Sequence, residues 1–361
     1  MKKLLLLANQ DYALYNFHFE QIQRFITEGY EVAICLPYAP KVEFLKKAGC
    51  VFIPVDIDGR GKNPFKDYIL IYSLTKIFKN YHSDRILLYT TKSCIYGGII
   101  ASKLKIPYIL NVSGLGTATG ENGLFQKLMV FLYRIAVKNA DCVFFQNKEN
   151  QEFFHNYNIK CIKERIIPGS GVNVEHWKYL EYPSEKNGIH FLFASRLIKQ
   201  KGIEEYLETA RIIKSKYPNT HFHICGACSS NYRYILKQYE NQEFIEYHGI
   251  VQDTSTYLKI VHCLIHPSFY PEGISNVCLE AASSGRPIIT TDNPGCRDTV
   301  NDFETGFIVK ERSPKSFVRE VEHFLHLPWE QKRDMGIRGR KKVEIEYNRE
   351  IVTAAYMEEI S

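Results

Sequence analysis

The chain has 361 residues, of which 45% are hydrophobic and 24% charged, a composition that excludes a disordered or low-complexity protein. Its length predicts two domains and excludes a single small module. The net charge of +6 is uneven, because residues 1–174 carry 22 Lys and Arg against 14 Asp and Glu. A basic half of this kind indicates either a face that meets anionic lipid or nucleic acid, or an ordinary solvated surface.

The targeting and redox signals favour a cytoplasmic protein. The first apolar run, Leu4–Ala8, is too short for a signal peptide and predicts a strand. No stretch approaches the ~20 uncharged apolar residues of a spanning helix, so membrane contact is expected only at the surface. Five of the ten cysteines lie in apolar strand or helix patterns, as expected of reduced thiols, namely Cys35, Cys142, Cys225, Cys263 and Cys278. Cys225 and Cys228 form a CxxC pair without the second pair that a structural zinc site normally needs.

Strands and helices alternate along the first half, which is the pattern of a parallel sheet. Strands are predicted at Leu4–Ala8, Glu31–Leu36, Val51–Pro54, Ile86–Tyr89, Tyr108–Val112 and Cys142–Gln146. Apolar residues at three- and four-residue steps predict crossover helices at Asn16–Glu28, Asp67–Asn80, Phe125–Asn139 and Asn147–Tyr157. We therefore expect a doubly wound α/β unit.

The alternation pauses at Gly169–Gly188, the predicted linker, and then resumes. Strands are predicted at Phe191–Ala194, His221–Cys225, Phe244–Tyr247, Cys263–His266 and Pro287–Thr291. Helices are predicted at Ile203–Lys216, Tyr232–Tyr239 and Ser275–Ser284, and residues 314–361 are predicted to be helical throughout. The second half is thus expected to be another doubly wound unit, with its ligands bound in loops that follow strands.

The segment Pro267–Glu280 places two carboxylates, Glu272 and Glu280, across a predicted strand-to-helix turn. If the helix begins near Ser275, the free amides of Ile274, Ser275, Asn276 and Val277 form an anion site suited to a diphosphate, and Gly273 permits the tight backbone. Glu280 would then reach a ribose, and Glu272 would lie nearer a sugar. The alternative is that both glutamates are ordinary exposed acids.

A second cluster lies in Ala194–Gly202, between a predicted buried strand and a helix. Arg196 and Lys201 are expected to emerge at the same sheet edge, where two cations suit a diphosphate leaving group and stabilise the charge that develops on it without a metal. The alternative is two surface cations beside a helix start.

Other motifs carry weaker signals. The glycine-rich loop with Gly114 and Gly116 lacks the lysine of a P-loop, and Asp56 with Asp58 only resembles a metal-binding pair, so no metal is predicted. His18, His248 and His266 border apolar segments, which favours structural roles.

At these residues the sequence resembles the retaining glycosyltransferases of family 4, which have the GT-B fold of two Rossmann-like domains facing each other across a cleft. Arg196 and Lys201 fit the paired donor-phosphate cations of that family, and Glu272 and Glu280 fit its two glutamates. Further similarity, to a bacterial subgroup that builds glycans on polyprenyl diphosphate, extends over Tyr89–Gly98, Ser113–Gly116, Pro168–Val172 and Pro294–Asp298. The chain departs from that subgroup at Lys92-Ser-Cys, where relatives commonly have Lys-Pro-Asn.

The resemblance implies a role for each domain. Residues 1–170 would bind the acceptor, residues 171–345 would bind a nucleotide-sugar donor, and the last helix, 346–361, would return to the first domain. By resemblance, the catalytic residues would be Glu272, Arg196 and Lys201. The donor-binding residues would be Glu280, Gly273, Ile274, Ser275, Asn276, Val277, Gly114 and Gly116. The acceptor-binding residues would be Arg60, Lys92 and Tyr15.

The expected reaction is transfer of a hexose or N-acetylhexosamine from a UDP-sugar to a polyprenyl-diphosphate-linked saccharide, with retention of configuration and without a metal or other cofactor. The enzyme would act on the inner face of the plasma membrane, with an anionic membrane surface and no nucleic acid among its partners. A GDP-mannose-dependent mannosyltransferase and a non-catalytic nucleotide-sugar-binding subunit are the alternatives.

Overall fold

The computed structural model describes residues 1–59, 61, 63–115, 123–251, 253–310 and 312–361, which form two compact units. Unit 1 comprises Met1–Gly171, Pro271–Gly273 and Arg349–Ser361, and unit 2 comprises Val172–Tyr270 and Ile274–Asn348. The predicted linker contains the boundary between Gly171 and Val172. Each unit has its own parallel sheet and its own hydrophobic core.

Unit 1 contains a seven-stranded sheet. Its strands are β1 (Lys3–Leu7), β2 (Glu31–Leu36), β3 (Val51–Pro54), β4 (Arg85–Tyr89), β5 (Tyr108–Val112), β6 (Cys142–Phe145) and β7 (Glu164–Ile166). Its helices are α1 (Asp11–Thr27), α2 (Val42–Lys47), α3 (Pro64–Tyr81), α4 (Gly98–Leu104), α5 (Leu124–Ala136), α6 (Lys148–Asn156) and, from the end of the chain, α13 (Arg349–Ile360), with one π-helical segment at Ser93–Gly97. The six predicted strands are all present, whereas the short β7, α2 and α4 were not predicted.

The strand order in unit 1 is β3-β2-β1-β4-β5-β6-β7, and the pairings are parallel. Alternate residues of β1 enter different cores, because successive strand side chains point to opposite faces of a sheet. Leu5 and Leu7 join the cluster under α3, α4 and α5. Leu4 and Leu6 join the cluster that includes Tyr356 of α13. The last helix is therefore part of the core of unit 1.

Unit 2 contains a six-stranded sheet. Its strands are β8 (Ile189–Ala194), β9 (Thr220–Cys225), β10 (Glu246–Tyr247), β11 (Cys263–His266), β12 (Ile288–Thr291) and β13 (Gly306–Val309). Its helices are α7 (Ile203–Lys216), α8 (Ser230–Asn241), α9 (Ser255–Leu258), α10 (Asn276–Ser283), α11 (Pro314–His326) and α12 (Trp329–Glu346). The stretch 314–361 is helical except at its two short connections, as predicted, whereas β13 and α9 were not predicted.

The strand order in unit 2 is β10-β9-β8-β11-β12-β13, again with parallel pairing. Phe191 and Phe193 of β8 lie in the core under α7, α8 and α11. Leu192 lies in the core on the other face, with residues of α9, α10 and α12. The prediction of two Rossmann-like parallel-sheet units is therefore confirmed. Among the described residues, no helix has the length and apolar character needed to cross a membrane, and the ten cysteines are free thiols.

A buried arginine in unit 2 donates hydrogen bonds to several backbone carbonyls. Arg286 is 1% exposed, and its guanidinium donates to the carbonyls of Leu258 (2.7 Å), Leu180 (3.0 Å) and Glu181 (2.9 Å). Burial lowers the pKa of Arg286 to about 10, which leaves the guanidinium charged at neutral pH. Its fork of donors thus satisfies carbonyls that lie outside the strands of the sheet.

We expect Arg286→Lys to lower the free energy of unfolding of unit 2 by about 2 kcal/mol or more, because a single ammonium cannot reach all of these carbonyls, and each buried polar group left unpaired costs about 1–3 kcal/mol. Denaturation followed by tryptophan fluorescence measures this unit, since both tryptophans, Trp177 and Trp329, lie within it. Arg338→Lys is the control: Arg338 is exposed and donates to Glu304 O, so a change below about 0.5 kcal/mol is expected. Equal losses in both variants would contradict the assignment.

Candidate functional site

The candidate site lies where the strand order of unit 2 reverses, between β8 and β11. At such a point the connections that follow the two neighbouring strands run to opposite sides of the sheet, which opens a crevice at their carboxyl ends. The chain leaves β8 through residues 195–201 and leaves β11 through residues 267–275. These are the two segments that the sequence motifs singled out.

A close backbone approach joins the two segments. Phe269 N donates to Gln200 O at 2.9 Å. Gly202 has a φ of +77°, and a Cβ built on it would lie 2.1 Å from Pro267 O. Only glycine combines this left-handed conformation with so short a separation. The turn before α7 is therefore pressed directly against the start of the loop after β11.

This packing brings the two predicted cations to one aromatic ring. Lys201 Nζ lies 5.2 Å and Arg196 Cζ 5.7 Å from the centroid of the Tyr270 ring, within range of cation–π attraction. Lys201 is 8% exposed, whereas Arg196 is partly exposed. The prediction that both emerge at one sheet edge is confirmed, and Tyr270 is a member of the cluster that the sequence reasoning missed.

Polar side chains in β12 and just after it fix the loop that carries Tyr270. Thr290 Oγ1 donates to His266 O at 2.8 Å, Thr291 Oγ1 donates to Ser268 O, and Asn293 Nδ2 donates to Tyr270 O at 2.8 Å. Three alternate carbonyls, at the end of β11 and in the loop that follows it, are thus held by two residues of β12 and by Asn293. The run of Thr, Thr and Asn at a predicted strand end is the sequence signal for this role.

The start of α10 differs from the prediction. The helix begins at Asn276, but Ser275 N donates to Gly295 O at 2.8 Å, so the expected row of free amides from 274 to 277 is wrong at Ser275. Its hydroxyl is hydrogen-bonded to His266 Nε2 at 3.2 Å. Ile274 and Ser275 are buried. Ser275 thus holds the start of α10 through its backbone and its hydroxyl, and donor contact by Ile274 and Ser275 stays a prediction.

The partly exposed residues of α10 are Asn276, Val277 and Glu280. Glu280 follows Asn276 by four residues, which corresponds to one turn and places both on one side of the helix. These residues remain candidates for donor contact.

Glu272 and Gly273 belong to unit 1, in the short segment Pro271–Gly273. Asn147 Nδ2 donates to the carbonyls of Glu272 (3.1 Å) and Gly273 (2.8 Å). A Cβ at Gly273 would lie 2.4 Å from Ser113 O, and one at Gly114 would lie 3.3 Å from Pro271 O. The predicted residues Gly114, Glu272 and Gly273 are therefore neighbours, and Asn147 is a contact that no sequence motif pointed to.

Two of the predicted acceptor residues, Tyr15 and Lys92, follow β1 and β4, the strands between which the order of the sheet in unit 1 reverses. Tyr15 of α1 is half-buried, with Lys41 Nζ 4.5 Å from its ring centroid. Lys92 Nζ is paired with Asp67 at 2.6 Å, so much of its charge is already compensated. Arg60 and Gly116 lie outside the described residues. The acceptor role of Tyr15, Lys92 and Arg60 and the donor role of Gly116 stay predictions.

Two further sequence suggestions concern proton or metal chemistry. Asp58 accepts a hydrogen bond from Gly61 N at 2.7 Å and lies 3.6 Å from Lys66 Nζ. His18 is buried and hydrogen-bonded to Gln21 at 2.9 Å, and desolvation lowers its pKa to about 4. Both groups are engaged by neighbouring protein atoms, which fits structural roles.

Comparison with known sequences matches two families along the chain. Residues 3–147 match the family described as glycosyl transferase 4-like, and residues 181–342 match glycosyl transferases group 1. One relative, from Campylobacter jejuni, is the N,N'-diacetylbacillosaminyl-diphospho-undecaprenol alpha-1,3-N-acetylgalactosaminyltransferase. It is 25% identical over 97% of this chain and 96% of its own length. The putative glycosyltransferase EpsD of Bacillus subtilis is 23% identical over 94% of this chain and 91% of its own.

Among solved structures, Anabaena HepE in complex with UDP and glucose superposes with a TM-score of 0.80. The alignment covers 99% of each chain at 14% sequence identity. At 14% sequence identity, this similarity shows that HepE and this chain share a fold.

The close approach at Gly202 gives a prediction for stability. We expect Gly202→Ala to destabilise unit 2 by clearly more than the ~1 kcal/mol of a left-handed alanine, because its Cβ would also displace the Pro267 backbone. Gly249→Ala is the matched control, since Gly249 has a φ of +71° but a Cβ built on it would have no atom within 4 Å. The same tryptophan-monitored denaturation measures both variants. Equal destabilisation would show that the approach to Pro267 is unimportant.

Proposed function

We propose that this chain transfers a hexose or N-acetylhexosamine from a UDP-sugar to a polyprenyl-diphosphate-linked saccharide. The chain is built from a glycosyl transferase 4-like domain and a glycosyl transferases group 1 domain, and so belongs to the glycosyltransferases with the GT-B fold. The observation that carries the proposal is the convergence of Arg196 and Lys201 on Tyr270 at the carboxyl ends of β8 and β11. Transfer retains the anomeric configuration.

The two cations suit the leaving group of this reaction. When the bond from the anomeric carbon to the phosphate oxygen breaks, the electron pair stays with the diphosphate, whose negative charge increases. Arg196 presents a planar fork of donors and Lys201 a compact charge in a buried position, where electrostatic stabilisation is stronger than in water. The protein thereby supplies the stabilisation that other enzymes obtain from a metal ion, and we propose a metal-free transfer.

The glutamates receive separate roles in the proposal. Glu280, one turn into α10, contacts the ribose of the donor, in keeping with the use of a carboxylate to bind ribose hydroxyls in other doubly wound domains. Glu272, held through its backbone by Asn147, lies at the transferred sugar. Ile274 and Ser275 seat the helix that carries Glu280.

The acceptor and the stereochemistry are suggested by the Campylobacter jejuni relative, whose name specifies a diphospho-undecaprenol acceptor and an alpha linkage. An α-linked product formed from an α-linked UDP-sugar retains the configuration of the donor. The presence of UDP in the HepE complex favours uracil as the base of the donor.

A panel of substrates tests the proposal. The protein is incubated with UDP- and GDP-sugars and with polyprenyl-diphosphate mono- and disaccharides, and products are read by mass spectrometry. We expect transfer from a UDP-hexose or UDP-N-acetylhexosamine. Transfer from GDP-mannose would establish the mannosyltransferase alternative, and binding of nucleotide sugars without transfer to any acceptor would indicate a non-catalytic subunit.

An apolar surface on unit 1 supports a location at the membrane. Two helices that cover the same core, α3 and α5, each have a second apolar stripe directed to solvent. The exposed members of these stripes, which define the apolar surface, are Phe65, Tyr68, Ile69, Tyr72, Leu124, Leu128 and Phe131. Exposed lysines and arginines flank them, including Lys66, Lys76, Lys127 and Arg134. Apolar side chains among cations are what an interfacial helix inserts into an anionic bilayer.

We expect Lys201→Ala to lower kcat/KM by about thirty- to two-hundredfold, since a charge-assisted contact contributes about 2–3 kcal/mol at the transition state. Arg196→Ala should behave similarly, as judged by initial rates with the substrates identified in the panel. Lys199→Ala is the control, because Lys199 lies in the same turn but is exposed and close to Glu204.

Two outcomes would contradict this role of the cations. Near-normal kcat/KM in both Lys201→Ala and Arg196→Ala would remove them from the site. Activity that is lost in excess chelator and restored by Mg²⁺ would show that a metal, not the cation pair, stabilises the leaving group.

The apolar surface predicts salt-sensitive membrane binding. We expect the protein to sediment with vesicles that contain anionic lipid at low ionic strength and to be released at high salt, because each cation near such a surface contributes about 1 kcal/mol that salt screens over ~8–10 Å. Leu128→Ser and Phe131→Ser should weaken sedimentation. Tyr234→Ser, which removes a 72% exposed aromatic from unit 2, should not. Binding that ignores lipid charge and is equal in all variants would contradict the assignment.

A further inference from the structure

Histidines form a continuous row on one face of the sheet of unit 2. His190 of β8 stacks on His221 of β9, with ring centroids 4.3 Å apart. His190 Nδ1 lies 2.9 Å from Nε2 of His223, and His223 Nδ1 lies 3.0 Å from Nε2 of His248. This is the face opposite Phe191 and Phe222, which lie in the core under α7 and α8.

Strand register brings a carboxylate to the end of this row. Glu246 of β10 is the direct partner of His223 in the parallel β9–β10 pair, and His248 follows Glu246 by two residues, so both point to the same face. Glu246 Oε2 lies 3.5 Å from His223 Nδ1. One donor atom from each of the three residues lies within 4.8 Å of the other two.

We propose that His223 Nδ1, His248 Nε2 and a carboxylate oxygen of Glu246 form a binding site for a divalent transition-metal ion, for which Zn²⁺ is the best match. Zinc binds imidazole nitrogen at about 2.0–2.1 Å and carboxylate oxygen at about 2.0–2.2 Å, so two ligands of a tetrahedral ion are about 3.3 Å apart. The separations of 3.0 Å and 3.5 Å from His223 Nδ1 bracket that value. Two imidazoles and one carboxylate also form a donor set that zinc accepts with a fourth position open.

His190 fixes the tautomer of His223, the central ligand of the proposed site. Because His190 Nδ1 lies at hydrogen-bonding distance from His223 Nε2, it can accept the ring proton there and leave the lone pair of Nδ1 directed at the site. A second partner that fixes the tautomer in this way is a regular feature of metal-bound histidine.

The ring of His248 is held from its other side. Tyr257 of α9 packs against it with a centroid separation of 4.5 Å. The carboxylate is the most accessible ligand, since the Glu246 side chain is 51% exposed, and it gives the ion a route to the site from solvent.

A bound ion would tie the short β10 to its neighbour. That strand consists of only Glu246 and Tyr247 and lies at the edge of the sheet. Ligands from both β10 and β9 would cross-link this edge, together with the turn in which Gly226 N donates to Gly249 O at 2.7 Å. The inferred role is therefore structural support of an edge of unit 2 and is independent of the proposed transfer reaction.

The nearby cysteines are a less suitable site. Cys225 is buried, and burial raises the pKa of its thiol to about 12, which opposes the thiolate that binds zinc. Cobalt substitution distinguishes the two possibilities, because a thiolate ligand produces a strong charge-transfer band and a histidine–carboxylate set does not.

The test uses the metal-free protein with its full chain. Zn²⁺ binding is measured by equilibrium dialysis and elemental analysis, Co²⁺ geometry by its ligand-field absorption, and stability by thermal unfolding with and without Zn²⁺. We expect one equivalent of Zn²⁺ per chain, a tetrahedral Co²⁺ spectrum without thiolate charge transfer, and a rise in Tm on adding Zn²⁺. His223→Gln and His248→Gln should each weaken Zn²⁺ binding at least tenfold and remove the rise in Tm.

Two further variants keep the test decisive. Glu246→Gln alters an exposed side chain and should fold normally, yet it should also weaken Zn²⁺ binding. His326→Gln removes an exposed histidine of the same unit and should leave both the stoichiometry and the Tm shift unchanged. The proposal is overturned if the three site variants bind Zn²⁺ as the unaltered chain does, if cobalt shows thiolate ligation, or if no equivalent binds and the row is only a hydrogen-bonded set of neutral rings.

Discussion

The geometry of the candidate site depends on how closely two backbone segments approach at Gly202. Its positive φ and the 2.1 Å from a built Cβ to Pro267 O leave no room for a side chain. That approach places Lys201, which immediately precedes the glycine, beside the ring of Tyr270. The constraint is steric, but its result is electrostatic, because a largely buried ammonium becomes fixed next to a second cation.

Arg196 and Lys201 repel each other, and the face of Tyr270 offsets part of that repulsion. The proposed diphosphate would interact with both cations, and most strongly as its negative charge grows during the reaction. The loop carrying Tyr270 can hold this arrangement because Thr290, Thr291 and Asn293 fix its carbonyls.

Elsewhere in unit 2, polar side chains have their hydrogen-bond partners within the protein rather than in a ligand. Arg286 pairs its buried guanidinium with carbonyls that lie outside the strands. The row from His190 through His223 to His248 satisfies its ring nitrogens largely within itself. The protein supplies partners in both cases, but in the second a donor atom from each of His223, His248 and Glu246 also lies within 4.8 Å of the other two, where we have proposed an ion.

Hydrophobic periodicity was enough to predict the two parallel-sheet units, because it is a local property of the chain that sets strands and crossover helices. It also selected Arg196, Lys201, Glu272 and Glu280, whose types and spacing lie within short segments. Tertiary structure alone decided that Ser275 N bonds to Gly295 O, that Tyr270 joins the cations, and that Glu246 is the partner of His223. Each of these depends on strand register or loop packing between residues distant in the chain, which no local pattern encodes.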